Sequence, residues 1–230
     1  MPEHTTPCFE TLESRTLFAN AHVLGEVLRV HGDRGATNTI TVVDSADAQS
    51  LDVNVTSVTR RGVTKTFNAS FPKSLGYTRV HVRGGFRADV INLGFETNVF
   101  TMDARVNGFA GADEINTGSG NDQIVGGNGA DVIRAGAGND VVRAGRGADQ
   151  IFGEDGDDII WGALGDDEID AGNGNDKLGG VLGTNKMLGG DGADEFLMRS
   201  QEQNPDNDFL LGTDTLTIRV KKEDNATPVI

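Results

Sequence analysis

The chain is poor in what usually builds a layered core. Its 230 residues include one Trp, one Tyr, one Cys and five Pro. A single cysteine, Cys8, excludes an intramolecular disulfide scaffold. With no ligand or catalytic partner assignable to it, Cys8 reads as a free terminal thiol. No run approaches ~20 apolar residues, so no transmembrane helix is expected. Cations are scarce: 20 Lys and Arg face 35 Asp and Glu, for a net charge of −15. That balance argues against nucleic acid, whose phosphates need clustered Lys and Arg. It argues equally against an anionic membrane surface. Histidine occurs only at His4, His22, His31 and His81. Neither an H-E-x-x-H zinc motif nor a G-x-S-x-G nucleophile elbow is present, so no enzyme is expected.

Glycine is abundant, and it recurs. Blocks of nine residues from Gly108 read GFAGADEIN, TGSGNDQIV, GGNGADVIR, AGAGNDVVR, AGRGADQIF, GEDGDDIIW, GALGDDEID, AGNGNDKLG, GVLGTNKML and GGDGADEFL, without insertion or deletion. The fourth position is always Gly. The sixth is Asp except at Asn185. The eighth is apolar throughout, from Ile115 to Phe196. A flexible linker would not keep an apolar residue at every ninth position. Collagen would need glycine at every third. Paired acids such as Asp157–Asp158 and Asp166–Asp167 could suggest glycosidase chemistry, but their places in the repeat explain them.

This pattern, G-G-x-G-x-D-x-U-x, resembles the RTX, or hemolysin-type, calcium-binding nonapeptide repeat. The resemblance implies an all-β fold: a right-handed parallel β-roll, or β-solenoid, in which two blocks make one coil. A β-rich lead-in and a short cap would flank it. Blocks n and n+2 then stack about 4.8 Å apart. One column of sixth positions holds Asp113, Asp131, Asp149, Asp167 and Asn185. The other holds Asp122, Asp140, Asp158, Asp176 and Asp194. Bare carboxylates at that spacing repel, by about 1 kcal/mol per pair in water and several times more when partly buried. Ca2+, a hard cation taking six to eight oxygens, reverses the sign. The expected metal set is Asp113, Asp122, Asp131, Asp140, Asp149, Asp158, Asp167, Asp176 and Asp194. Turn carbonyls would complete it, with Gly111, Gly120, Gly129, Gly138, Gly147, Gly156, Gly165 and Gly174 at the fourth positions. Residues 108–197 carry a net −13 of the chain's −15. Four gaps per column give several ions, up to about eight.

The expected organisation is a flexible leader at 1–26, a strand-rich lead-in at 27–107, the roll at 108–197, and a capping flank with a mobile tail at 198–230. Lead-in strands are expected at Val27–Val30, Thr39–Val43, Leu51–Val58, Val63–Phe67, Arg79–Val82, Val90–Leu93 and Val99–Met102. They would form either a degenerate solenoid or a small sandwich. Residues 84–92, GGFRADVIN, resemble a degenerate block with Arg87 in place of the turn glycine, out of register with the array. Asp208–Leu216 resembles the segment that caps RTX arrays. Phe9–Ala19 resembles a short F-E-x-L-E-x-R-x-L element near the start of many secreted planctomycete proteins, which favours export. The start Met1–His4 lacks the basic n-region of a Sec signal peptide. These readings imply a secreted, calcium-stabilised structural or adhesive module. The alternative is an accessory module of a secreted enzyme acting on glycans. Val125, Val141, Ile159 and Trp161 are expected on one outer face, either covered by the 198–230 flank or the lead-in, or serving as a contact surface for a cell surface or a second copy.

Overall fold

The computed structural model describes residues 20–45, 48–94, 100–196 and 215–216. Within each block, three residues after the sixth-position Asp start a short strand, and the glycines bend it back. Two blocks carry the chain once around. Odd and even blocks therefore feed two different sheets, of ten and nine strands.

The even blocks supply β10 (Gln123–Asn128), β12 (Val141–Arg146), β14 (Ile159–Leu164), β16 (Lys177–Leu182) and β18 (Glu195–Phe196). The odd blocks supply β9 (Glu114–Gly118), β11 (Val132–Ala137), β13 (Gln150–Asp155), β15 (Glu168–Asn173) and β17 (Lys186–Leu188). All pair in parallel with an offset of two blocks: Ile124 opposite Val142 opposite Ile160, and Ile133 opposite Ile151 opposite Ile169. This is a β-roll. Alternation along each strand sends the eighth position inward. Ile115, Ile124, Ile133, Val142, Ile151, Ile160, Ile169 and Leu178 are all fully buried.

Both sheets continue upstream of the repeats. In the even-block sheet, β1 (Asn20–Leu24), β2 (Val27–His31), β6 (Arg79–Gly85) and β8 (Asp103–Ala110) precede β10. In the other, β3 (Thr37–Asp44), β4 (Ser50–Val58), β5 (Thr64–Pro72) and β7 (Val90–Leu93) precede β9. The upstream end turns antiparallel: β1 pairs back on β2, and β3, β4 and β5 form a meander. The only helix among the described residues is a single 3-10 turn, Lys73–Leu75, and none is long and apolar enough to cross a membrane.

Three sequence expectations need correction. Order begins before Val27: β1 lies within the stretch read as leader, and Ala21 and Val23 pack against the core. Phe100–Met102 form no strand; the strand is β8. Phe100 is buried, its carbonyl accepts the Ser119 N–H at 2.8 Å, and it closes the turn beneath Gly118. β8 escaped notice because only Ala104 and Val106 face inward between Asp103, Arg105 and Asn107. Finally, residues 84–92 are out of register in sequence only. Ile91 pairs with Ile115, and the Asp89 N–H donates to Asp113 Oδ1 at 2.8 Å, as in the regular coils. The extra length is taken up in the connection that follows β7.

Thr215–Leu216 (β19) lies parallel to β17. The Phe9–Ala19 element, Val99, the Lys221–Ile230 tail and the rest of the expected cap fall outside the described residues.

Candidate metal centre

The sixth-position aspartates point inward at the turns. Asp113, Asp122, Asp131, Asp140, Asp149, Asp158, Asp167 and Asp176 are each 1–2% exposed. Asp194, in the last coil, is half-buried. Each Oδ1 accepts the backbone N–H of the sixth residue one coil earlier. The Asp113 N–H donates to Asp131 Oδ1 (2.9 Å), Asp122 to Asp140 (2.7 Å), Asp140 to Asp158 (2.8 Å) and Asp158 to Asp176 (2.7 Å). The columns are thus hydrogen-bonded ladders running the length of the stack.

The second oxygens have no such partner. Oδ2 of the eight buried aspartates is enclosed and accepts no hydrogen bond among the described residues. Leaving one buried carboxylate oxygen unsatisfied is costly, and eight at equivalent places is a design rather than an accident. Burial, reinforced by like-charged neighbours in the column, pushes the Asp140 carboxyl up to about 8 and those of Asp113 and Asp158 to about 7. Burial likewise raises Asp122, Asp131, Asp167 and Asp176 to about 6, and raises Asp149. Without a countercharge these carboxylates resist ionisation at neutral pH.

Glycine makes room for them. A Cβ on Gly126 would stand 2.5 Å from Asp131 Oδ2 and 2.7 Å from the Ala144 carbonyl oxygen. The same crowding by Oδ2 of the block's own aspartate occurs at Gly108, Gly153 and Gly162. The first position selects small size rather than left-handed backbone: its glycines have no positive φ, and Thr117, Ala135, Ala144 and Ala171 fill the same place, buried. Positive φ belongs to the fourth position, at every block except Gly120, and to most of the second. At the second position Phe109, Glu154 and Ala163 adopt φ 77 without being glycine.

The expected carbonyl donors divide accordingly. The carbonyls of Gly111, Gly120, Gly129, Gly138, Gly147, Gly156, Gly165 and Gly174 lie along the turn column, each against the fourth glycine of the next coil. The carbonyls that share space with Oδ2 come from the first position of the next coil: Gly126 above Gly108, Ala144 above Gly126 and Ala171 above Gly153. These were absent from the expected set, although the small residue kept at the first position signalled them. No three His, Cys, Asp or Glu side chains converge at one point among the described residues. A cation here would draw on paired aspartates and main-chain carbonyls, the oxygen-only set that hard divalent ions take.

Both ends of the odd column are amides. Asn185 takes the sixth position downstream: its Oδ1 accepts the Asp167 N–H at 3.0 Å, and its Nδ2 occupies the place of Oδ2, against Gly180. Upstream, Asn38 aligns with Asp89 as Ile40 does with Ile91. Asp89 Oδ1 accepts both the Asn38 N–H (2.6 Å) and Nδ2 (2.9 Å), and its Oδ2 accepts the Gly85 N–H. A second ladder, unnoticed in the sequence, runs outside the even turns. Asn121, Asn139, Asp157 and Asn175 at the fifth position each accept a backbone N–H from the next coil. Its signal is the Asn/Asp at that position of the second, fourth, sixth and eighth blocks, ending at Ala193.

Comparison with known families agrees with this geometry. The family model described as RTX calcium-binding nonapeptide repeat (4 copies) matches residues 107–142 and again 143–178. No curated protein and no solved structure matches the chain significantly. The stacked aspartates with their empty-handed oxygens, and the glycine kept at every fourth position, are what that repeat encodes: residues 107–178 are RTX calcium-binding nonapeptide repeats, folded as a β-roll.

Proposed function

We propose that Asp113, Asp122, Asp131, Asp140, Asp149, Asp158, Asp167 and Asp176, with Asp194 at the open end, hold Ca2+ between successive coils. Turn carbonyls of the first and fourth positions complete the shells, and the calcium stabilises an extracellular structural or adhesive module. The observation that carries this reading is the set of eight enclosed Oδ2 atoms without a hydrogen-bond donor. It supports up to eight ions, one for each such oxygen. Bound calcium supplies the positive charge that lets these carboxylates ionise while buried. The chain's own residues do the rest: Oδ1 fixes each carboxylate to the backbone of its neighbour, and a small first-position residue, Gly, Ala or Thr, leaves room beside Oδ2.

The repeat is a structural calcium-binding module, and we assign the chain no catalytic role. The lead-in at 27–107 and the flank after 197 serve as end pieces. Upstream, the two sheets end on the antiparallel strands β1 and β5 rather than on a parallel coil. An oxidising, millimolar-calcium exterior suits a protein whose fold depends on the ion.

The test is calcium titration of the chelated chain, followed by circular dichroism, hydrodynamic radius and calorimetry. Residues 108–197 gain β-signal and compact as calcium rises. A spectrum and radius unchanged by exhaustive chelation, with no heat of calcium binding, overturn the proposal.

A further inference from the structure

The outer face of the nine-stranded sheet does not share the chain's acidic character. Outward residues stand on it in two columns, because parallel register brings together positions far apart in sequence. In the first column, His22, Arg29, His81 and Arg105 are successive neighbours, followed by Gln123, Val141 and Ile159. In the second, His31 and Arg83 are followed by Asn107, Val125, Arg143 and Trp161. Arg79 stands beside them, opposite Asp103. Asp103 is the one acid among the outward residues of β1, β2, β6, β8 and β10. Its carboxylate accepts the Asn121 N–H at 3.0 Å.

Arg29, Arg79, Arg83 and Arg105 pair with no carboxylate among the described residues. Two open grooves, of about 420 and 300 Å3, lie between them, and His81 and Arg105 line both. The face registers as positive: burial, then the charges of Arg83, His22, Arg29 and Arg34, hold His31 below the usual imidazole value. Burial, then Arg29, Arg105, Arg83 and Arg79, do the same at His81. Four guanidiniums without acids in a chain of net −15 are not a solvated average of its composition. Further along, cations give way to amides and then to a mainly apolar end that carries one further cation, Arg143. Ile159 is 37% exposed, and Trp161 lies flat over Gly179, where any Cβ would strike the indole ring.

We propose that this strip, from Arg29 to Trp161, binds an acidic polysaccharide, a hydroxyl-rich chain bearing spaced carboxylates or sulfates. Each part of the strip has its counterpart on such a chain. Arginine forks take carboxylate or sulfate oxygens in pairs. Asn107 and Gln123 offer both donors and acceptors to hydroxyls. Trp161 and Ile159 present a flat apolar surface to the carbon face of a sugar ring, with an indole N–H at its rim. Six strands run from β2 to β14 inclusive, a strip of about 24 Å at ordinary strand spacing, long enough for several sugars. Nucleic acid fits less well. Its charge density is unbroken, whereas the cations concentrate at one end of the strip, with Arg143 alone beside Trp161, and the net −13 of residues 108–197 begins beside them. An anionic bilayer meets the same repulsion over a wider area. The inference gives a ligand class to the adhesive reading above and rests on it for the extracellular setting.

The experiment uses the full chain loaded with calcium. Binding is measured by calorimetry and by Trp161 fluorescence against carboxymethyl-dextran, dextran sulfate and uncharged dextran. The charged polymers bind, uncharged dextran does not, and raised salt weakens the interaction. Arg83→Ser/Arg105→Ser, both exposed, lowers affinity by about tenfold or more, as expected for two lost charge-assisted contacts. Arg60→Ser/Arg61→Ser, in the exposed β4–β5 turn, removes the same charge and leaves affinity unchanged. Trp161→Ala weakens binding without altering its salt dependence. Calcium-coupled folding is followed in the same samples, so a chain that folds with calcium yet ignores both charged dextrans sinks this inference alone. Equal loss in the Arg60/Arg61 control, undiminished binding by the Arg83/Arg105 variant, or tighter binding to single-stranded DNA or phosphatidylserine vesicles also overturns it. Should the double variant fail to fold, Arg83→Ser and Arg105→Ser singly carry the same comparison.

Discussion

Replacing Asp140 by Asn should move the metal-free and calcium-loaded proteins in opposite directions. Asp140 sits mid-column, and its Oδ1 holds the Asp122 N–H at 2.7 Å. Asn keeps that acceptor, as Asn185 already does for Asp167. What changes is the charge. Burial first, then Asp122 and Asp158, displace the Asp140 carboxyl from 3.8 to about 8. An acid raised in the folded state is at no disadvantage below its unfolded value. It opposes folding increasingly as pH climbs from about 4 through 8. At about 1.4 kcal/mol per pKa unit, that opposition reaches at most about 4 kcal/mol near pH 7. Asp140→Asn removes it. The chelated variant should therefore melt several degrees above the chelated parent at pH 8, and the two should converge at pH 4. With calcium the order reverses: Asp140 adjoins two gaps, toward Asp122 and toward Asp158, and both lose a charged ligand. Isothermal titration should then count up to two fewer ions, and the calcium-induced rise in Tm should shrink. A chelated variant that melts below the parent at pH 8, or an unchanged ion count, would refute the reasoning.

Gly126→Ala should force a small local shift, since its Cβ meets Asp131 Oδ2 at 2.5 Å and Ala144 O at 2.7 Å. Because Ala135, Ala144 and Ala171 fill the same position in other blocks, the expected cost is about 1 kcal/mol in the calcium form with the ion count unchanged; loss of an ion by titration would contradict it. Ala163→Gly should raise Tm in both forms, because a residue at φ 77 is relieved of about 1 kcal/mol of left-handed strain. A fall in Tm on thermal scanning would count against that account. The gap between Asp167 and Asn185 should fill last, and Asn185→Asp should strengthen it while lowering chelated stability. Limiting-calcium crystallography checks both, and full occupancy there with other gaps empty refutes the expectation.

What could be read from the sequence was whatever repeats at fixed spacing. The eighth-position column from Ile115 to Met187, the sixth-position aspartates and the parallel stacking of alternate blocks all follow from one period. What lay hidden depends on neighbours across strands. Asn38 and Asp89 are separated by β4, β5 and β6, so nothing local marks them as one rung. Arg29, His81 and Arg105 belong to three distant strands and become adjacent only through register. The strand at Asp103–Ala110 carries too few apolar side chains to declare itself. The glycine columns were visible, but their division of labour was not. Left-handed backbone at the fourth position and empty space at the first look identical in one-letter code.

The Asn38–Asp89 rung gives the array a foothold that owes nothing to calcium. Three N–H groups already saturate the Asp89 carboxylate, two from Asn38 and one from Gly85. That end of the stack, resting on the buried Val80, Ile40 and Leu51, is a finished template before any ion arrives. Under the calcium-coupled folding proposed above, growth of the roll would begin from this seed rather than from a random coil anywhere along ninety glycine-rich residues. The costly first step of a one-dimensional assembly is thereby moved out of the repeats and into a conventional apolar unit. Calcium is left only the task of elongation, coil upon coil, away from the amide that marks where the column starts.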